Sequence, residues 1–360
     1  MILLKRKTPP FDPQSFRKIL IVQTAFLGDV ILTTPLLPAL KVLFPEAQLH
    51  FVSTPAAQNI LQNNSHLSRV WIYDKRGVQR GMSGLWKMAG KLRASNFDVA
   101  IVPHRSIRSA LLVLLAKIPL RIGFNKSAGS FLFNRQVVYR QSEHEIERNL
   151  RLLESLGYTF GKRVLPEIFP DRADRERVSN WLNETLKSPE YPFIALAPGS
   201  VWNTKRWPAA YWSELADQLD QLGFRVVLVG SKQDKFLSEE IRATAESELL
   251  NAMGEFTLRQ SAELIRRAAL LICNDSAPTH IGVAVRTPVL TIFGPTVPAF
   301  GFYPYGEKDR VAELSGLTCR PCSIHGGARC PLGHFDCMLK LSPETVFRIA
   351  REMLNENPEN

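Results

Sequence analysis

Two carboxylates follow apolar runs of the sequence at points where they could do chemistry. Asp29 comes after the aliphatic run KILIVQ near the N-terminus, and Asp275, with Ser276, follows the apolar run 268–273. A helical segment begins after each turn, and a helix N-terminus favours an anion. Asp29 could accept a proton from a sugar hydroxyl. Asp275 would lie beside a turn that binds a phosphate. His280 follows Ser276 by one helical turn and could also contact that phosphate. The simpler alternatives are an Asp29 that favours the helix dipole, an Asp275 or Ser276 that caps a helix, and a buried histidine that caps or packs.

A third turn combines small residues with positive charge after the apolar segment FIALA. Gly199-Ser200 offers backbone N–H groups and a hydroxyl, and Lys205 offers an ammonium group to a diphosphate. The P-loop pattern GxxxxGK[ST] is absent, and the turn at 24–29 has one glycine only, which argues against a dinucleotide-binding fingerprint. A diphosphate site of another kind is one interpretation of this turn, and a solvated basic loop is the other.

Four of the five cysteines crowd the C-terminal part of the chain, at Cys319, Cys322, Cys330 and Cys337. The first pair has the CxxC spacing of a zinc knuckle, whereas the second pair is spaced too widely for one. Free or paired structural thiols are the simpler interpretation, and a structural zinc ion is the alternative.

Positive charge is concentrated in the N-terminal half of the chain. Several of these residues follow predicted strands and would rim a binding site: Lys75, Arg76, Arg80, Arg105, Arg108, Arg121, Lys126, Arg135 and Arg140. Such a rim suits an anionic acceptor, and we expect Lys75, Arg76, Arg105 and Arg108 to contact it. Some of the others will belong to an ordinary solvated surface.

The composition is that of a basic globular protein. The chain has 360 residues, 45% of them hydrophobic and 22% charged, with a formal net charge of +11. These values argue against disorder and predict an acidic partner, a phosphorylated substrate or an anionic membrane surface. Because no nucleic-acid recognition module is visible, nucleic acid is not expected. The sequence shows neither a membrane span nor a signal-peptide core, so we expect a cytoplasmic protein that touches a membrane peripherally through basic side chains.

Strands and helices alternate along the chain, which predicts an α/β fold with parallel sheets. We predict an N-terminal domain over 1–165, a linker region with a helix over 166–192, a second domain over 193–341 and a C-terminal helix over 342–360. The first 16 residues resemble a basic, proline-containing tail. One helix is expected from about Val30 to Phe44, disturbed by Pro35 and Pro38.

With these turns in place, the chain resembles the family 9 glycosyltransferases, the ADP-heptose:lipopolysaccharide heptosyltransferases. Five pieces in order carry the resemblance: ILIVQTAFLGDVILTTPLLPAL, ALAPGSVWNTKRWP, VLVGSKQD, LICNDSAPTHIGVAV and TIFGPTVP. The C-terminal CPLGHFDCM is similar to the heptosyltransferase II branch. The resemblance implies a GT-B architecture, with two Rossmann-like domains facing across a cleft, and an inverting, metal-independent reaction.

The resemblance also implies roles for particular residues. Asp29 matches the general base that deprotonates the acceptor hydroxyl. Lys205 and Ser200 would bind the diphosphate of the donor ADP-heptose, and Asp275 would bind its heptose. Further residues would surround the phosphates: Ser276, Ala277 and His280. Asp234 would lie at the ribose, with Phe256 and Thr257 near the adenine. The implied acceptor is the phosphorylated inner-core oligosaccharide on lipid A.

Two other functions fit the same residues. One is a nucleotide-sugar 2-epimerase on a GT-B scaffold, which would need no lipid acceptor. The other is a non-catalytic protein that binds an anionic glycolipid through the basic rim. The sequence leaves open which core position is extended and whether the donor is another nucleotide sugar.

Overall fold

The computed structural model describes residues 16–186 and 191–356. The predicted basic tail therefore lies outside the described residues, apart from Phe16, and so does the stretch 187–190 of the predicted linker. The chain divides into two compact units between Phe169 and Pro170. No helix in the described ranges is both long enough and apolar enough to cross a bilayer.

The first unit is a parallel sheet with helices between its strands. Aliphatic residues dominate the central strands, which are buried on both faces as parallel sheets require. Its strands are β1 (Lys18–Val22), β2 (Gln48–Ser53), β3 (Leu67–Ile72), β4 (Val99–Val102), β5 (Leu120–Phe124) and β6 (Arg135–Val137). Its helices are α1 (Leu27–Ile31), α2 (Leu36–Leu43), α3 (Gln58–Leu61), α4 (Gly81–Arg93), α5 (Ile107–Leu115) and α6 (Glu145–Arg151).

The second unit repeats this design. Its strands are β7 (Phe193–Ala197), β8 (Arg225–Leu228), β9 (Leu249–Asn251), β10 (Leu270–Asn274), β11 (Val289–Phe293) and β12 (Arg310–Glu313). Its helices are α7 (Arg172–Leu186), α8 (Ala209–Gln221), α9 (Lys235–Thr244), α10 (Leu258–Arg266), α11 (Ala277–Ala284), α12 (Asp336–Leu339) and α13 (Pro343–Asn355).

Both sheets have the strand order of a Rossmann fold. The first runs β3-β2-β1-β4-β5-β6, and the second runs β12-β11-β10-β7-β8-β9. The order therefore reverses between β1 and β4 in one unit and between β7 and β10 in the other. Ligands of open α/β sheets bind outside the carboxyl ends of the strands at such a reversal. Each unit thus has a defined place for a ligand, and the predicted α/β fold of two Rossmann-like units is confirmed.

One prediction about an individual element is wrong, and two strands were not predicted. The helix expected over 30–44 is two helices, α1 and α2, because the chain turns at Leu32–Pro35 before Leu36 resumes the helical pattern. Strands β6 and β12 were not predicted. Both lie at sheet edges and are short and polar, RQV and RVAE, so they lack the aliphatic run that marks the central strands.

Gly282 sets the distance between α11 and the second sheet. A Cβ at this position would lie 2.5 Å from a methyl group of Val289 on β11 and 2.8 Å from one of Leu271 on β10. Both strands are buried, so neither neighbour has space to retreat. The missing side chain lets α11 approach the sheet and thereby fixes where its N-terminus ends.

We predict that Gly282→Ala destabilises the protein by about 1–3 kcal/mol, because the added methyl group overpacks the core. Gly90→Ala on α4 is the matched control, since a Cβ there meets nothing within 4 Å. That variant should gain about 0.5–1 kcal/mol from helix propensity. Urea unfolding measures both changes, and equal effects of the two substitutions would contradict the close approach of α11.

Candidate functional site

The clearest site in the second unit is a buried ion pair at the sheet reversal. Lys205 ends a short 3-10 turn after β7, and Asp275 follows β10. The Lys205 Nζ atom donates to Asp275 Oδ2 at 2.5 Å, and Thr296 Oγ1 donates to the same oxygen at 2.6 Å. Lys205 is 9% exposed and Asp275 is 6% exposed. An ammonium and a carboxylate are therefore held together, with little water, where a ligand is expected.

Asn274 connects the two turns that carry this ion pair. Its Nδ2 donates to the carbonyl oxygen of Pro198 at 2.7 Å, and its Oδ1 accepts from the backbone N–H of Trp207 at 3.2 Å. The side chain is completely buried. Sequence reasoning missed this role, although an amide at the end of an aliphatic strand was a usable signal, because a buried amide needs partners.

Ser276 does not act as the simple helix cap that was one alternative. It occupies the N-cap position of α11, but its side chain accepts no cap hydrogen bond. Its hydroxyl donates instead to the carbonyl oxygens of Gly199 and Asn274, both at 3.2 Å. The Gly199-Ser200 loop and the start of α11, at Ala277, are thereby held side by side. Backbone N–H groups in the first turn of a helix have no intrahelical partner and can face an anion.

His280 lies on α11 and is buried. Burial, together with the nearby charge of Lys205, lowers the pKa of its imidazole to about 3. The ring is therefore neutral around pH 7 and supplies no positive charge. Positive charge for a bound anion would therefore come from Lys205 and not from His280.

Three further predicted residues have local partners. Asp234 accepts from the backbone N–H of Ser231 at 2.9 Å, and a Cβ on Gly199 would lie 2.7 Å from its carboxyl carbon, so it abuts the Gly-Ser loop. Phe256 packs edge-on against Trp181, with ring centroids 5.5 Å apart. Thr257 caps α10 through Gln260. The structure thus brings Asp234 to the Gly-Ser loop, while Phe256 and Thr257 lie just before α10.

The segment 319–337, which contains four cysteines and is called the cysteine segment below, holds the 3-10 turn that ends in Lys205. The carbonyl oxygen of Gly327 accepts from the N–H of Thr204 at 3.1 Å, and the N–H of Gly327 donates to the Thr204 hydroxyl at 2.8 Å. Cys322, Cys330 and Cys337 line a cavity of about 100 Å³ beside it. Among the described residues, no three His, Cys, Asp or Glu side chains are arranged to hold a metal ion. The zinc alternative, which would also use Cys319, stays a prediction.

In the first unit, Asp29 lies in the first turn of α1, beside the sheet reversal. Its Oδ2 accepts from the backbone N–H of Phe26 at 3.1 Å, and the residue is partly exposed. Asn149 of α6 donates to the carbonyl oxygen of Leu32 at 3.1 Å, which fixes α6 against the chain that leaves α1. Two elements therefore determine the position of Asp29.

Glu145 is a functional candidate that sequence reasoning missed. It is the first residue of α6, and its carboxylate lies 3.0 Å from Nε of Arg148 and 3.5 Å from the hydroxyl of Tyr139. Burial raises the pKa of Glu145 to about 7; the Arg148 and Arg105 guanidiniums and the Tyr139 hydrogen bond oppose this shift, and the negative charge of Asp29 adds to it. An acid at the start of a helix reads as a helix-dipole partner, so its burial beside Asp29 could only be seen in three dimensions.

The basic rim contains a hydrogen-bonded chain that ends on a histidine. Lys75 Nζ donates to the Thr24 hydroxyl at 3.3 Å, and Thr24 and Ser109 lie 3.0 Å and 2.9 Å from Nδ1 of His104. Burial and the charges of Lys75 and Arg105 lower the pKa of His104 to about 4. The hydroxyls of Thr24 and Ser109 can each donate to Nδ1 or accept from it, depending on the tautomer of the ring.

The other predicted acceptor residues differ in how they are held. Arg108 donates to the Tyr73 hydroxyl at 2.5 Å and to the carbonyl oxygen of Gly81 at 2.6 Å, so it anchors the loop before α4. Arg105 lies 4.4 Å above the ring of Tyr139, and Arg76 is exposed, 5.9 Å from the ring of Phe26. Burial and the charges of Arg76 and Arg108 lower the pKa of Lys75. Four cations and one neutral histidine thus surround the end of β1 and β4.

We predict a pH-dependent contribution of Glu145 to stability. The folded protein keeps a proton on Glu145 that the unfolded chain releases between its ordinary pKa of 4.5 and about 7. The free energy of unfolding of the wild type, relative to that of Glu145→Gln, should therefore fall on the order of 3 kcal/mol as the pH rises through this window. Urea unfolding between pH 4 and 8 measures the difference, and a constant difference would contradict the raised pKa.

Comparison with known proteins agrees with this geometry. A family model described as glycosyltransferase family 9 (heptosyltransferase) matches residues 85–328, more than half of the chain. Lipopolysaccharide heptosyltransferase 2 of Salmonella typhimurium is 28% identical over 350 residues, which cover 94% of this chain and 99% of that protein.

Solved structures extend the similarity. The family 9 glycosyl transferase of Veillonella parvula superposes with a TM-score of 0.86 at 24% identity, over 96% of this chain and 99% of that one. The ADP-heptose lipopolysaccharide heptosyltransferase II of E. coli superposes with a TM-score of 0.77 at 25% identity, over 95% and 99%. The chain therefore belongs to glycosyltransferase family 9, the heptosyltransferase family, and has its GT-B fold of two Rossmann-like units.

Proposed function

We propose that this glycosyltransferase moves a heptose from ADP-heptose to the phosphorylated inner core of lipopolysaccharide, with inversion at the anomeric carbon. The observation that carries the proposal is the Lys205–Asp275 ion pair at the sheet reversal of the second unit, in a chain of the heptosyltransferase family. An ammonium suits the diphosphate of a nucleotide sugar, and a carboxylate suits sugar hydroxyls. We further propose that the second heptose of the core is the one added, in line with the name of the Salmonella relative.

On the donor side, Lys205 and the N-terminus of α11 would hold the diphosphate. Their positive charge stabilises the negative charge that grows on ADP as the bond between the heptose C1 and the phosphate oxygen breaks. Ser200, Ser276 and Ala277 would provide polar contacts around the phosphates, with His280 as a neutral neighbour. Asp275 would bind the heptose, Asp234 the ribose, and Phe256 and Thr257 the adenine.

On the acceptor side, Asp29 would be the general base. As the acceptor oxygen bonds to C1, its proton passes to the Asp29 carboxylate. The buried Glu145 is a second carboxyl group close enough to Asp29 for their charges to interact. Lys75, Arg76, Arg105 and Arg108 would bind the phosphates of the acceptor. No cofactor is needed in this scheme, and structural zinc on the cysteines stays a prediction.

The location follows from the acceptor. Lipid A keeps the inner-core acceptor in a bilayer, so we propose that the enzyme works at the cytoplasmic surface of the inner membrane. The formal net charge of +11 favours contact with such an anionic surface. Membership of a glycosyltransferase family argues against a non-catalytic glycolipid-binding protein, and no contact among the described residues favours a 2-epimerase.

The first test combines a transfer assay with a change at Asp29. Wild-type protein, ADP-heptose and a core acceptor with one heptose should give product with one more heptose, seen by mass spectrometry. An acceptor without heptose should react poorly. Asp29→Asn should lower kcat by roughly 10²–10⁴-fold, since it removes the proton acceptor, and should leave the Kd for ADP unchanged. Near-wild-type turnover by Asp29→Asn would exclude the base role, and no transfer by the wild type would overturn the proposed function.

A second test concerns Lys205. We expect Lys205→Ala to weaken ADP binding at least tenfold in calorimetry, because a hydrogen bond between charged groups contributes about 1.5–3 kcal/mol. Lys340→Ala is the matched control, since Lys340 also pairs with an aspartate, Asp336, at 2.6 Å but lies on the surface. Equal ADP affinity of the wild type and Lys205→Ala would refute the diphosphate role.

A further inference from the structure

The outward face of α4 is unlike that of an ordinary surface helix. The inward side chains Leu85, Met88 and Leu92 are almost completely buried in the core of the first unit. The outward face nevertheless carries Met82 and Trp86, each 57% exposed and one helical turn apart. A surface helix normally turns a polar face to water. The exposure of two large apolar side chains on the solvent side of α4 therefore indicates a binding partner.

The charged residues of the segment 75–93, which includes α4, all have the same sign. Between positions 75 and 93 there is no Asp or Glu, and the cations are Lys75, Arg76, Arg80, Lys87, Lys91 and Arg93. Lys87 and Lys91 lie on the exposed side of α4, next to Trp86. The exposed Val42 on α2, by contrast, has Glu46 nearby in the sequence and does not lie in such a run of cations.

The loop before α4 presents another apolar side chain in a fixed position. Val78 is 93% exposed. Its backbone N–H and that of Gly77 donate to the Asp74 carboxylate at 3.1 Å and 2.9 Å, and Arg108 holds the carbonyl oxygen of Gly81. Because these hydrogen bonds fix the loop at both ends, the backbone holds Val78 in its exposed position.

We propose that this surface, formed by Val78, Met82, Trp86, Lys87 and Lys91, docks the first unit onto an anionic lipid bilayer. Aromatic and apolar side chains enter the headgroup region, and cations bind anionic lipids. A protein partner would not require a run of cations without any acid. The proposal rests on the proposed function, whose acceptor is anchored in lipid, since the surface adjoins the loops where Lys75, Arg76 and Arg108 would hold that acceptor.

Binding to vesicles without any lipopolysaccharide tests the surface separately from catalysis. Full-length protein should sediment with vesicles of phosphatidylethanolamine and phosphatidylglycerol, and much less with phosphatidylcholine vesicles or at high salt. Each cation near an anionic surface raises partitioning about fivefold. Lys87→Gln/Lys91→Gln should therefore bind roughly 25-fold more weakly, and Met82→Ser/Trp86→Ser about tenfold more weakly.

Matched controls change exposed residues elsewhere. Val42→Ser removes a 79% exposed apolar side chain from α2, and Lys308→Gln/Arg351→Gln removes two exposed cations from the second unit. Both should bind the anionic vesicles like the wild type. Wild-type binding by the two α4 double variants, or equal losses in the controls, would overturn the docking surface.

A soluble, deacylated core acceptor separates this proposal from the proposed function. The α4 double variants should keep kcat/KM for that acceptor within about twofold of the wild type, and lose activity only towards acceptor embedded in vesicles. If the wild type transfers no heptose but its vesicle binding depends on α4, the proposed function fails and the docking surface stands. If the wild type transfers heptose but the α4 double variants bind vesicles as well as it does, the docking surface is wrong and the proposed function stands.

Discussion

The second unit depends on one buried ion pair. Lys205 and Asp275 come from different βα turns, 70 residues apart, and meet at 2.5 Å with little solvent. Removing one partner of such a pair leaves an uncompensated charge and costs about 3–5 kcal/mol. The surrounding contacts of Asn274, Ser276 and Thr296 follow from that constraint, since each holds one of the two turns in place. A binding ligand with its own negative charge would find the ammonium already positioned.

The two units use the same strand order for different electrostatic environments. In the second, one cation and one carboxylate pair beside a histidine that burial keeps neutral. In the first, several cations surround a half-buried carboxylate, and a buried glutamate ionises near neutral pH beside it. Burial controls both histidines and the glutamate, so the charge state of each site follows from packing. The fold supplies the place for a ligand, while the side chains after the strands decide which ligand suits it.

Much of this organisation could be predicted from residues alone. The aliphatic runs that became β1, β7 and β10 gave the parallel sheets, because strands buried on both faces have no alternating pattern. The turns with Asp29, Lys205 and Asp275 were found because polar residues interrupt those runs. The pairing of Lys205 with Asp275 could not be found, since it depends on which strands are neighbours. Edge strands β6 and β12 were missed because they are polar, and Glu145 because its burial is set by residues distant in sequence.

The contact between Thr204 and Gly327 has a consequence for the order in which the protein is made. These residues are 123 positions apart, and their hydrogen bonds hold the turn that ends in Lys205. During synthesis, the ribosome translates strands β7 to β11 before it reaches Gly327. The first unit, in contrast, closes its sheet within its own 169 residues. A nascent chain can thus complete the first unit early. In the second unit, the turn that ends in Lys205 is held in place only after the cysteine segment has left the ribosome.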